Sequence, residues 1–154
     1  MRWAIFLFGC ATAHADCPGT RVLVDTAAHK LSLCENGQET HHYKVSLGRG
    51  GVDKHKDGDG RTPVGEYSLQ PGRPSSDFHT FLPVGYPTSA ERAAGYTGGA
   101  IGIHGPKRSY RWLGALALLE DWASGCIAVA SDKEIDQIDA WVRAHAVQSI
   151  LIRK

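Results

Sequence analysis

A histidine and a cysteine occupy positions at which their side chains could do nucleophilic chemistry. His104 ends the short apolar run 101–103, and Cys126 directly follows Gly125. A thiol has an ordinary pKa of about 8.5 and needs a neighbouring base near neutral pH, a task that suits imidazole. We therefore predict that Cys126 is a nucleophile and that His104 is its base. These features alone leave open the alternative of a buried free cysteine and an unrelated core histidine.

Small residues beside this pair bear on how a substrate would approach. Gly125 removes a side chain next to the sulfur, and the N–H groups of Gly125 and Cys126 could face a developing oxyanion. Ser124 either helps to shape that pocket or is only a small turn residue. Gly105 follows the histidine directly. We predict that Gly105, Ser124 and Gly125 position the substrate or its oxyanion.

Two metal-binding patterns are present only in part. The run 55–60 (His-Lys-Asp-Gly-Asp-Gly) resembles a calcium loop in spacing, but His55 stands at the first ligand position and Pro63 lies inside the would-be loop. Four histidines lie near one another without the spacing of a zinc site: His29, His41, His42 and His55. We predict an exposed polar turn, no metal site and no cofactor.

The elements that must position these residues are mostly strands. Alternating apolar residues predict strands at 21–25, 30–34 and 40–47, and Asn36-Gly37 predicts a hairpin turn between the last two. Further extended segments are predicted at 62–69, 78–86, 100–104, 125–129 and 147–152, with a loop at 71–77. A helix is predicted at 113–120, and Ser131 with Glu134 predicts a capping box that starts a second helix.

Composition favours one mainly β domain. The chain has 154 residues, of which 42% are hydrophobic and 18 are glycine, a pattern typical of a turn-rich β protein with a real core. Its 17 Lys and Arg residues balance 16 Asp and Glu residues, so there is none of the basic excess that nucleic-acid binding requires. We predict a mixed β-sandwich or curled sheet with one or two short helices.

The first residues are typical of an export signal. Arg2 precedes the apolar stretch 3–13, and Ala13-His14-Ala15 matches a small-x-small cleavage site. The stretch is too short to span a bilayer. We predict a signal peptide at 1–15, a domain at 16–154, no transmembrane helix and a periplasmic location in the cell envelope. A buried N-terminal segment and a lipoprotein signal ending at Cys10 are the alternatives.

Cleavage after Ala15 would leave three cysteines, an odd number for an oxidising compartment. Two of them could pair and leave one free thiol. Cys17 precedes the first predicted strand and Cys34 ends the second, so these two could be close, but the sequence does not decide whether they pair.

The motifs resemble those of the L,D-transpeptidase catalytic domain, also called the YkuD-type domain. That family carries His-Gly, then a variable stretch, then Ser/Thr-x-Gly-Cys and an aliphatic residue; His104-Gly105 and the segment 123–127 supply both parts here. Other matching segments follow in family order: the opening hairpin at 24–37, Lys-Val-Ser-Leu-Gly at 44–48, and the Thr-Pro-x-Gly turn within 58–67. Together they cover nearly all of residues 16–154.

The resemblance implies a mainly β fold and a chemistry on peptidoglycan stem peptides. Cys126 would attack the bond before a terminal D-alanine and form a thioester, with His104 as general base and later general acid. An amine acceptor would then resolve the thioester, and water in its place would make the enzyme a hydrolase that releases D-alanine or a wall-attached protein. An inactive peptidoglycan-binding module is a third hypothesis.

Three positions depart from the common family pattern. Ser124 stands where many members carry histidine, Ala128 where many carry arginine or asparagine, and Ala123 at the Ser/Thr position. The segment is similar to a divergent subgroup with an Asp-Trp-x-x-Gly-Cys-Ile-Ala pattern, beginning here at Asp121. Acceptors in that subgroup vary, and some members detach proteins from the wall, so the resemblance implies the cysteine–histidine pair but not the acceptor.

An anionic stem peptide would be met by cations. We predict that cations in loops near the motifs bind the substrate carboxylates: Arg61, Lys107, Arg108 and Arg111. The equally simple alternative is that these residues form solvated basic loops. Trp112 and Trp122 either line the groove or pack in the core. Asp121 either orients His104 through its second ring nitrogen or caps local backbone.

Overall fold

A computed structural model describes residues 17–154 of the chain. Within this range the elements, in chain order, are β1 Arg21–Asp25, β2 Lys30–Glu35, β3 Gln38–Lys44, β4 Gly65–Ser68, β5 Arg73–Ser75, β6 His79–Pro83, α1 Ser89–Ala93, β7 Gly102–His104, a 3-10 helix at Arg108–Leu118, β8 Ile127–Ala128, α2 Asp132–Ala144 and β9 Ser149–Arg153.

The strands form two mixed sheets. One has the order β3-β2-β1-β9-β4 and the other the order β5-β6-β7-β8. In the first sheet β1 is antiparallel to β2 and parallel to β9, and in the second β7 is antiparallel to β6 and parallel to β8. The predicted mainly β fold with mixed sheets and few short helices is confirmed.

The hairpin between β2 and β3 has the predicted turn. Asn36 and Gly37 have φ angles of 50° and 81°, and Glu35 pairs with Gln38 across them. A two-residue turn with positive φ at both positions matches the right-handed twist of the strands, which is why Asn-Gly favours it.

The core lies between the sheets and α2. One face of α2 buries Ile135, Ile138 and Val142 completely against the strands. Ser131 caps the helix by accepting a hydrogen bond from the Glu134 N–H, as predicted. The predicted capping box is only half formed, because the Glu134 carboxylate accepts from the N–H of Ala130, one residue before the cap.

One local prediction was wrong, and two others differ from the structure in bounds or helix type. The predicted loop at 71–77 contains β5, a three-residue strand that depends on pairing with β6. The helix predicted at 113–120 is a 3-10 helix that begins at Arg108 and is interrupted at Gly114, where φ is 52° and ψ is −129°. The third strand ends at Lys44, because Ser46 crosses to pair with Ala128 beside the second sheet.

The cysteines divide into a pair and a single thiol. Cys17 and Cys34 form a disulfide, with Cα atoms 5.5 Å apart, and Cys126 is free. The predicted signal peptide and its cleavage site lie outside the described residues. Between residues 17 and 154, none of the helices has the length and apolar character needed to cross a bilayer.

Candidate active site

Parallel pairing of β7 with β8 brings the predicted catalytic residues to one place. His104 ends β7 opposite Ala128, and Cys126 directly precedes β8. Both side chains line one open cleft of about 780 Å³. The structure therefore brings these two distant residues to one groove.

The imidazole of His104 is oriented by the backbone. Its Nδ1 lies 2.6 Å from the carbonyl oxygen of Gly105, and since a carbonyl can only accept, Nδ1 carries the proton and Nε2 is the free base. The Phe78 ring stacks on the imidazole with the centroids 3.9 Å apart, and His104 is 1% exposed. This burial lowers the pKa of His104 to about 4, against the opposing effect of the Gly105 carbonyl, so the ring is neutral at neutral pH.

The thiol of Cys126 is also neutral at rest. Its Sγ donates a hydrogen bond to the carbonyl oxygen of Ala100 at 3.3 Å. Burial raises the pKa of the thiol, and the Gly102 backbone and the Lys54 charge oppose that rise only in part. A neutral thiol that is to act as a nucleophile has to lose its proton at the moment of attack, in contrast to a preformed thiolate.

The two glycines of the motifs are required by close backbone packing. At Gly125, where φ is 120°, a Cβ atom would lie 2.6 Å from the carbonyl oxygen of Arg61. At Gly105 a Cβ atom would lie 2.8 Å from the carbonyl oxygen of Phe78. Any side chain at either position would push the catalytic segments away from their neighbours.

Three cations line the cleft: Arg49, Arg73 and Lys107. None of them forms an ion pair with an acidic residue of the described chain, and no Asp or Glu from that part of the chain lines the cleft. The cleft is therefore suited to an anionic ligand. Of the predicted substrate-binding residues, the structure brings Lys107 to the cleft but not Arg61 or Arg108. Arg111 pairs instead with Asp132, at 3.1 Å.

Aromatic side chains form the walls. Trp122 lines the cleft with Ser124 and contacts the edge of Tyr110, with the ring centroids 5.3 Å apart. Trp112 is 82% exposed and does not line the cleft, so it takes neither of the two roles that the sequence left open for it.

The loop 54–61 is held together by a network of hydrogen bonds, and part of it lines a cavity with Cys126. The carboxylate of Asp59 accepts hydrogen bonds from the backbone N–H groups of His55, Lys56 and Arg61 and pairs with the buried Lys54 at 2.8 Å. Burial disfavours its charge, but the Lys54 and backbone hydrogen bonds outweigh that effect and hold the pKa of Asp59 well below its usual range. Asp59, which the calcium-loop pattern had singled out, is thus committed to fixing this loop.

A model of the family described as YkuD, the L,D-transpeptidase catalytic domain, matches residues 19–148. The chain belongs to this family. The putative L,D-transpeptidase YafK of Escherichia coli strain K12 is 35% identical over 78 residues, which are 49% of this chain and 32% of that protein. The chain thus spans about a third of the length of that curated relative.

Solved structures of this family's fold superpose on most of the domain. The helical cell shape determining protein Pgp2 of Campylobacter jejuni matches with a TM-score of 0.69 at 24% identity, over 86% of this chain and 46% of that one. Bd1075 of Bdellovibrio bacteriovorus matches with a TM-score of 0.61 at 24% identity, with the same coverage. L,D-transpeptidase 1 of Mycobacterium tuberculosis matches with a TM-score of 0.51 at 17% identity, over 88% of this chain and 62% of that one.

Sequence reasoning missed several residues of this L,D-transpeptidase domain and left the role of one open. Arg49, Arg73 and Phe78 line the cleft from loops and strand ends far from both motifs, and only Gly-Arg-Gly at 48–50 offered a local signal. Asp121 does not orient His104. Its carboxylate accepts from the Leu47 N–H at 2.7 Å and contacts His29, which is the backbone role that the sequence left as the alternative.

Proposed function

We propose that this domain catalyses L,D-transpeptidase-type acyl transfer on peptidoglycan stem peptides through a thioester at Cys126. The observation that carries the proposal is a neutral imidazole, with its proton held on Nδ1, in the same cleft as the chain's one free thiol among residues 17–154. The three cations that line this cleft form no ion pair with an acidic residue among residues 17–154, and they suit the carboxylates of a stem peptide.

The first half of the reaction consumes the stem and releases D-alanine. Nε2 of His104 takes the thiol proton as Sγ of Cys126 attacks the carbonyl carbon before the terminal D-alanine. The resulting oxyanion faces the N–H groups of Gly125 and Cys126, neither of which donates to a backbone carbonyl of residues 17–154. The imidazolium then gives its proton to the departing D-alanine nitrogen, and the thioester remains.

The second half regenerates the thiol. An acceptor amine loses a proton to Nε2 of His104 and attacks the thioester carbonyl, and the imidazolium returns a proton to Sγ of Cys126 as the C–S bond breaks. An amine acceptor gives a crosslink or an attached protein. Water would act in the same way and give a trimmed stem or a released protein, which is the hydrolase alternative.

The inactive-module hypothesis fits the geometry less well. A decayed site would have no reason to keep the buried, oriented imidazole of His104 open to a cleft that also holds Cys126. The departures at Ser124 and Ala128 lie beside this pair and do not replace either member.

Covalent trapping is the direct test of the thioester. Intact-mass measurement after treatment with a carbapenem, which acylates cysteine enzymes of this family, should show one adduct on the wild type and none on Cys126→Ala. His104→Gln should slow acylation at least about a hundredfold, since general-base assistance is worth that much. A wild-type protein that stays unmodified while folded would contradict the proposal and favour the inactive module.

Muropeptide mass spectrometry separates the two enzymatic outcomes. Incubation of tetrapeptide stems with and without a D-amino acid or a second stem should give amine-exchanged or crosslinked products if transfer dominates. Trimmed stems alone would assign the domain to hydrolysis. Cys126→Ala, which preserves the fold, is the matched control in both reactions.

We also propose that the domain works outside the cytoplasm, in the periplasm. The Cys17–Cys34 disulfide is typical of an oxidising compartment. The residue pattern at 1–15 is that of an export signal. Radiolabelled or tagged full-length chain should therefore be recovered from the periplasmic fraction, shortened by about the length of that segment.

A further inference from the structure

We infer that a second, smaller cavity beside Cys126 holds the terminal D-amino acid of the substrate, with Arg49 binding its α-carboxylate. This inference rests on the proposed function, because it assigns the leaving-group side of the same reaction. The large cleft would then hold the acyl side, the stem peptide itself.

The cavity adjoins both Cys126 and the large cleft. It measures about 280 Å³ and shares four lining residues with the cleft, namely Arg49, Ala100, Ser124 and Cys126. The sulfur therefore lies where the two spaces meet, as a nucleophile must if the groups on either side of the scissile bond occupy different sites. Pockets for drug-sized ligands span about 300–1,000 Å³, so the smaller cavity suits a single amino acid and not a peptide stem.

The smaller cavity is lined by one cation that is free to bind a carboxylate and, on another part of its wall, by the carboxylate of Asp57. The guanidinium of Arg49 has no hydrogen-bond or ion-pair partner within residues 17–154, so its donors are available to a ligand. Lys54 also lines the cavity, but its Nζ is bound to Asp59 at 2.8 Å and to the Lys56 carbonyl at 2.9 Å. Arg49 is therefore the group that can form a paired, charge-assisted contact with a terminal carboxylate.

The remaining walls limit what side chain the terminal residue can carry. Gly58, Gly60 and Gly99 contribute no side chains, and a Cβ atom built on Gly99 meets nothing within 4 Å. Asp57 lies on the same wall, and its carboxylate has no partner in the described part of the chain. A small, uncharged side chain therefore fits this space, where Arg49 and Asp57 supply one free charge of each sign.

The decisive comparison uses one tetrapeptide stem in two forms, with a free terminal carboxylate and with a terminal carboxamide. The wild type should process the free acid with a kcat/KM at least about tenfold higher, as expected for loss of one charge-assisted arginine–carboxylate contact. Arg49→Gln should lose most of that preference. Lys107→Gln is the matched control, because Lys107 lines only the large cleft and its loss should slow both forms alike.

A second variant tests the size of the cavity. Gly99→Val adds a side chain into open space and should reduce exchange with bulky D-amino acids at least about tenfold more than exchange with D-alanine. A wild type that is active but indifferent to the carboxamide, or an Arg49→Gln variant that keeps the full preference, would overturn the assignment and leave the proposed function intact. Absence of any turnover or acylation would overturn both.

Discussion

Lowering the pH from 7 to 5 should destabilise this domain specifically through His104. Its pKa is about 4 in the folded state because the ring is buried, against an ordinary value of 6.5 when the chain is unfolded. Between these two pKa values the unfolded chain binds a proton at His104 that the folded chain does not. The stability present above pH 6.5 is therefore lost as the pH falls. The loss should begin near pH 6.5 and be complete near pH 4.

The size of the effect follows from proton linkage. Integrating proton uptake between pH 7 and pH 5 with these two pKa values gives a loss of about 2 kcal/mol in the free energy of unfolding. The carboxylate of Asp59 stays ionised throughout, because its pKa is held well below its usual range. The change in the free energy of unfolding between pH 7 and pH 5 therefore contains no contribution from the Asp59 carboxylate.

Urea unfolding at both pH values measures this directly, in wild type and in His104→Gln, which keeps a polar side chain of similar size without titrating near neutral pH. The variant should lose about 2 kcal/mol less than the wild type on acidification, whatever its stability at pH 7. His41→Gln, on the exposed face of β3, controls for loss of a histidine as such. If His104→Gln lost as much stability as the wild type, the ring could not be buried in its neutral form.

Three further predictions concern the supports of the site. Gly125→Ala places a Cβ atom 2.6 Å from the Arg61 carbonyl oxygen at a φ of 120°. It should lower the free energy of unfolding by about 2 kcal/mol and remove most of the acylation rate, and full acylation would contradict the packing argument. Replacing Cys17 and Cys34 together by serine removes a disulfide that links residues 17 positions apart, and should lower stability by about 3 kcal/mol in thermal melts. Acylation of Cys126 at low temperature should be unchanged. Asp59→Asn removes the charge that pairs with Lys54, which is 4% exposed, and should cost about 3 kcal/mol in urea unfolding; a neutral effect would show that the pair is dispensable.

The sequence was informative wherever a local rule decides the structure. Alternation predicted β1 to the residue, and the Asn36-Gly37 pair predicted its hairpin, because the turn geometry admits few residue types. The start of α2 followed from Ser131, which lies three residues before Glu134 and caps the helix. None of these needs information from elsewhere in the chain.

The parts that were missed depend on distant partners. The strand β5 has three residues, one of them proline, and exists because it pairs with β6. Phe78 reaches the imidazole because β6 pairs with β7 and aligns Phe81 with His104. Packing between loops likewise decides which cations line the cleft. The local sequence around a charged loop residue does not indicate how that loop packs.

The same reasoning separates the catalytic pair from its surroundings. Chemistry limits which residues can form a nucleophile and its base, so the types and neighbours of His104 and Cys126 made them candidates, and the structure places both along one cleft. Any nearby cation can bind a carboxylate, so residue type alone is a weak guide. Of Arg61, Lys107 and Arg108 only Lys107 lines the cleft, and Arg49 and Arg73 line it without having been predicted.

The position of β9 has a consequence for how the chain acquires its fold. This strand, the last of the described elements, lies between β1 and β4, and Val22 near the start pairs with Ile150 near the end. The central hydrogen bonds of the larger sheet therefore have to wait until nearly all of the domain has been synthesised, and such high contact order slows folding. A nascent chain that cannot yet complete its sheet would stay unfolded and competent for translocation, which suits a protein proposed to cross a membrane before it folds.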